Sequence, residues 1–69
     1  MAEGIMFGEN VRRLRSEKGL TQAKVAEMAG VHKRYYQDIE ACRKIPSVLI
    51  AARLRMALNC DWTDLMRGL

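Results

Sequence analysis

Lys33, Arg34, Gln37 and Asp38 place four long or charged side chains within six positions of one another. At roughly 100° per residue they fall on one arc of a helix, with Tyr36 and Ile39 on the other side. Tips of this kind match the donors and acceptors that base pairs show in a major groove. Lys33 and Arg34 suit guanine acceptors, Gln37 suits adenine, and Asp38 suits the amino group of cytosine. The arc also fits an ordinary solvated face, because mixed Lys/Arg/Asp surfaces are common on amphipathic helices. Catalytic chemistry fits poorly. The single His, His32, has no Ser, Cys or carboxylate at a recognisable catalytic spacing, and no phosphate-binding loop is present. A zinc site needs more Cys and His at close spacing than the chain offers. No enzymatic activity, metal or cofactor is therefore expected.

The elements that must position these residues are helical, since no run alternates apolar and polar residues over strand length. A first helix is expected over about Phe7 to Lys18, with Phe7, Val11 and Leu14 on one face and Gly19 as its left-handed stop. Thr21 is a good N-cap for a second helix, Gln22 to about Ala29, whose apolar side would hold Val25, Ala26 and Met28. Gly30 closes it, and a third helix follows from about Lys33 to Ala41. Helices two and three then form a helix-turn-helix candidate. Beyond Pro46, Ser47 caps a fourth helix to about Asn59, with Val48, Ala51, Leu54 and Leu58 inward. Asp61 caps a short fifth helix, "WTDLMR", expected to point Trp62, Leu65 and Met66 inward. The fold class predicted is all-α, a compact bundle of five short helices in one domain, with its core over about residues 7–66.

At 69 residues and a net charge of +4, the chain suits one small domain with a polyanionic partner, though mild basicity alone is common. Two cysteines, Cys42 and Cys60, without a secretory leader, read as reduced thiols of a cytoplasmic protein. No apolar run approaches the length of a membrane span.

The stretch "LRSEKGLTQAKVAEMAGVHKRYYQDIE…IPS" resembles the phage-repressor and Cro-like helix-turn-helix family, the XRE family. The similarity runs from about Phe7 to Met66 and includes "EKGLTQ", "AEMAGV", "IE", "PS" and "MALNCDWTDL" in order. The resemblance implies a lambda-repressor-like fold and double-stranded DNA as partner, with the third helix in the major groove. By position it implies that His32, Lys33, Arg34 and Asp38 face base edges, with Gln37 beside them. It implies phosphate contacts from Gln22, Tyr35, Arg43 and Lys44. Gln22 suits that role because helix N-termini present free amides to anions. Arg15 and Glu40 match a largely buried ion pair linking helices one and three.

The departures from the family pattern are informative. His32 replaces a Ser or Thr N-cap, and Cys42 replaces a Gly. Tyr36 replaces an aliphatic core residue and is expected in the core with its hydroxyl at an edge. Leu49 and Met56 lie opposite the inner stripe of the fourth helix, where the family favours polar groups. They fit either incidental exposure or, more sharply, a protein contact surface. One helix-turn-helix unit reads few base pairs, so a homodimer on a palindromic operator is expected, with half-sites roughly 34 Å apart. Its interface would draw on Leu49, Met56, Trp62, Leu65, Met66 and Leu69. The reading is a DNA-binding transcription regulator. The rival is an antitoxin or other protein-interaction module on the same fold, with its partner held through the fourth helix.

Overall fold

Phe7, Val11 and Leu14 are all buried, and their spacing makes them the inner stripe of one amphipathic helix. The computed structural model of the chain describes residues 2–69, with side chains from Met6 onward. It contains five helices, and no strand occurs among the described residues: α1 (Ala2–Glu17), α2 (Gln22–Ala29), α3 (Lys33–Glu40), α4 (Val48–Leu58) and α5 (Trp62–Leu65). This is the all-α, five-helix architecture expected from the sequence. α1 begins five residues before the predicted start at Phe7. The apolar stripe starts only at Phe7, so periodicity cannot mark the turns before it. α5 is shorter than "WTDLMR" and stops at Leu65.

Helix ends follow the local chemistry. Thr21 Oγ1 accepts from the Lys24 N–H at 3.0 Å, and Ser47 Oγ from the Ile50 N–H at 3.3 Å. His32 also serves as an N-cap, its Nδ1 accepting from the Arg34 N–H at 3.2 Å. Asp61 makes no side-chain cap bond. At the other ends, Gly19, Gly30, Cys42 and Asn59 all take left-handed backbone. Each of α1 to α4 ends in the same pair of crossing backbone bonds; for α3 these are Cys42 N–H to the Ile39 carbonyl and Arg43 N–H to the Asp38 carbonyl. At φ +64° Cys42 accepts the strained conformation that glycine adopts freely. No disulfide joins it to Cys60.

The core gathers Val11, Val25, Tyr36, Ile39, Leu54, Leu58 and Leu65, each almost fully buried. α2 packs on α3 and α4, and α1 packs on α3, α4 and α5. Two residues on α1 set these contacts. A Cβ on Gly8 would lie 2.4 Å from the Ile39 carbonyl oxygen and 2.8 Å from Cys42 Sγ, so only glycine lets α1 pass this close to the end of α3. Asn10 is buried, and its Nδ2 donates to the carbonyls of Leu65 and Arg67, each at 2.9 Å. It thereby caps α5 from the side.

Four inward assignments are corrected. Met28 and Val48 are exposed, and Trp62 and Met66 are 44% and 41% exposed. Ala29 takes the buried place on α2. Leu65, expected both in the core and at a dimer surface, is wholly buried, which leaves it no part in an interface. A one-turn helix buries only a narrow strip, and Leu65 fills it.

Candidate nucleic-acid interface

The geometry of α3 is fixed from below by Glu40, whose side chain is 3% exposed. Arg15 Nε donates to its Oε2 at 2.6 Å, and Arg15 Nη2 to its Oε1 at 3.1 Å. Tyr36 donates its hydroxyl to Oε2, and Gln22 Nε2 donates to Oε1 at 3.0 Å. Burial pushes the Glu40 carboxyl up, but the bonds from Arg15, Tyr36 and Gln22 outweigh it and hold the group below the usual carboxylate range. The bond to Glu40 raises the Arg15 guanidinium. Burial, then the neighbouring Glu40, raises the Tyr36 phenol, which stays protonated as a donor. The hydroxyl of Tyr36 is thus in the core rather than at an edge. The fork from Arg15 joins α1 to α3, and the Gln22 amide joins α2 to α3, so one carboxylate sets the angle of three helices.

Above this base, α3 presents His32, Lys33 and Arg34 to solvent, while Gln37 and Asp38 are half-buried. The cap bond uses His32 Nδ1 as acceptor, so the neutral ring carries its proton on Nε2 and points a donor outward. Gln37 Nε2 donates to Gln22 Oε1 at 3.4 Å, which joins the two expected contact residues to the buried carboxylate. Asp38 lies between two arginines: Oδ1 is 3.6 Å from Arg34 Nε and 3.4 Å from Arg43 Nη1. At the flank, Lys44 Nζ stands 5.3 Å from the centre of the Tyr35 ring, a cation–π distance. His32, Lys33 and Arg34 therefore form a protruding ridge, cationic through Lys33 and Arg34, and Tyr35, Arg43 and Lys44 form its border.

The other expected surface lies on α4 and α5. Leu49 and Met56 are 61% and 69% exposed. A shallow apolar groove is lined by Ile45, Val48, Trp62, Met66 and Leu69, with Phe7 at its floor. Helical steps of roughly 100° put Leu49 and Met56 about a quarter-turn from Val48, on the side away from Ala51, so the stripe lies beside the groove and not in its lining. Arg55 rests over the Trp62 ring at 5.5 Å. Reasoning from sequence missed Ile45 and Val48 in this surface, Asn10 beneath α5, and Gly8 against the end of α3. Asn10 had a legible signal, a polar residue three positions after Phe7 on the apolar stripe. Gly8 had one too, a glycine in mid-helix.

Comparison with known proteins identifies the class. Residues 11–65 match the helix-turn-helix family. The chain belongs to this family of DNA-binding transcription regulators, in its phage-repressor and Cro-like XRE branch. It is 36% identical over 61 residues to the HTH-type transcriptional regulator y4dJ of Sinorhizobium fredii, covering 88% of this chain and 79% of that one. It is 33% identical over 61 residues to the ImmF control region 10 kDa protein of Bacillus phage phi105, covering 88% and 68% of the two chains. In structure it is similar to the restriction-modification controller protein C.AhdI of Aeromonas hydrophila, with a TM-score of 0.89 and 29% identity over 94% of this chain and 98% of that one. The clp gene regulator ClgR of C. glutamicum gives a TM-score of 0.85 at 29% identity, covering 90% and 80%. Among the described residues no helix is long and apolar enough to cross a membrane.

Proposed function

We propose that the protein regulates transcription by occupying a palindromic operator as a homodimer, with α3 of each copy in a major groove. The observation that carries this reading is the ridge of His32, Lys33 and Arg34 at the N-terminal end of a helix anchored rigidly by Glu40. N-terminal residues of a recognition helix are the ones that reach base edges in this motif. His32, Lys33 and Arg34 contact bases, with Gln37 at a flanking base. Tyr35, Arg43 and Lys44 contact the phosphates on one side, and Gln22 holds one from the start of α2 with its remaining N–H. The relatives that are controllers and phage control proteins support this regulatory role. The dimer forms through Val48, Leu49, Met56, Trp62, Met66 and Leu69, all of them exposed apolar residues.

The test is selection from random double-stranded DNA, repeated at several salt concentrations. A two-fold symmetric site with half-sites roughly 34 Å apart is expected. Affinity should fall steeply with salt, by a slope that counts the phosphates neutralised. Arg34→Ala should change the selected bases, while Lys44→Ala should weaken all sequences alike and flatten the slope by about one. Enrichment of no sequence would refute the reading. The second reading, an antitoxin-like module acting on another protein, is favoured by the exposure of Leu49 and Met56. It predicts a partner complex whose affinity is nearly independent of salt.

A further inference from the structure

We infer that Asp38 is a positioning residue for Arg34 and does not itself read a base. This rests on the reading above, in which α3 lies in the groove. The backbone cap that ends α3 brings Arg43 over Asp38, because the Arg43 N–H bonds the Asp38 carbonyl at 2.8 Å. In such caps the two residues so joined usually make an apolar contact. Here the contact is ionic, with Arg43 Nη1 3.4 Å from Asp38 Oδ1. The same oxygen lies 3.6 Å from Arg34 Nε, one helical turn earlier.

The Asp38 side chain is 14% exposed, against 76% for Arg34 and 68% for Arg43. A carboxylate so withdrawn, with two cations in front of it, offers little to a cytosine amino group. The geometry does something else for Arg34. An ion pair at Nε leaves both Nη groups free and biases the guanidinium toward the Asp38 side of the helix. Those two groups are the pair that a guanine O6/N7 edge accepts in a bidentate contact. Arg43 holds Asp38 from the other side, so the border cation steadies the residue that aims the reading cation. Even a bias of this kind reduces the ordering cost when the contact forms.

The experiment is binding-site selection with five proteins: wild type, Arg34→Ala, Asp38→Ala, Asp38→Asn and the double variant Arg34→Ala/Asp38→Ala. Asp38→Ala is expected to relax the same base pair as Arg34→Ala, with guanine preference there falling about 5-fold or more. The double variant is expected to match Arg34→Ala at that position, and Asp38→Asn, which keeps an acceptor oxygen, to restore part of the preference. A melting curve close to wild type separates this from misfolding, and if Asp38→Ala does not fold, Asp38→Asn alone carries the comparison. Relaxation at a different base pair from Arg34→Ala, or no change at any base pair, overturns the proposal. A wild-type protein that selects no sequence overturns the underlying reading instead, so the two failures are distinguishable.

Discussion

Glu40 receives donors from Arg15, Gln22 and Tyr36 in a place where water scarcely reaches. Removing its charge strands the Arg15 guanidinium and turns two of its hydrogen bonds into donor–donor contacts. Glu40→Gln should cost about 3 kcal/mol, the lower end for breaking a buried pair, since Arg15 is 18% exposed. In a domain of this size the melting temperature should drop by about 12 °C or more. The same group sets the acid limit. Its folded pKa lies below the unfolded one, so its contribution is complete above about pH 4.3 and is lost as pH falls through the folded value. Stability measured by urea titration should therefore decline below about pH 4.3, and Glu40→Gln should remove part of that decline. The position of Glu40 was legible because "IE" recurs at a fixed place after the turn. The donors from Gln22 and Tyr36 were not, because each depends on how two helices approach.

The approach of α1 to α3 depends on Gly8. Gly8→Ala raises intrinsic helix propensity by about 1 kcal/mol, which in an isolated helix would stabilise. Here the added methyl meets the Ile39 carbonyl oxygen and Cys42 Sγ, and backbone cannot move aside cheaply. A net destabilisation of about 1–3 kcal/mol is expected from thermal melts, with the sign opposite to propensity. Cys42 shows the same balance in reverse: Cys42→Gly should relieve left-handed strain and leave stability within about 1 kcal/mol of wild type. α2 and α4 were legible almost to the residue, since Thr21, Gly30 and Ser47 are strong start and stop signals, while α3, bounded by His32 and Cys42, was placed by its period. α1 and α5 were less so. The first turns of α1 carry no stripe, and α5 is a single turn whose buried side is chosen by what it lands on.

At the scale of the molecule, the cationic ridge and the apolar groove lie on different elements, α3 against α4 and α5. Binding of DNA and self-association can then be altered separately. Val48→Glu places a charge on the groove rim, at a residue 83% exposed, so the fold should keep its stability to within about 0.5 kcal/mol. Sedimentation at micromolar concentration should show a dimer for wild type and a monomer for the variant, with weakened binding to a two-half-site operator. A wild-type monomer, with and without DNA, would remove support for the dimer. The outward turn of Leu49 and Met56 was visible in the helical period. Trp62 and Met66 were read both as inward and as interface residues, because large apolar residues ordinarily go inside.

α5 is four residues long, far short of the roughly 12–15 that let a helix persist by itself. It has no side-chain bond at its start, and the carbonyls of Leu65 and Arg67 at its end are held by Asn10 of α1. Its helical form therefore depends on docking against the first helix. Three residues of the proposed dimer surface, Trp62, Met66 and Leu69, ride on this segment. Association then stabilises selectively the part of the chain with the least stability of its own. Amide exchange at Leu65 and Met66 should slow as protein concentration rises, while exchange in α2 stays at the rate the monomer sets.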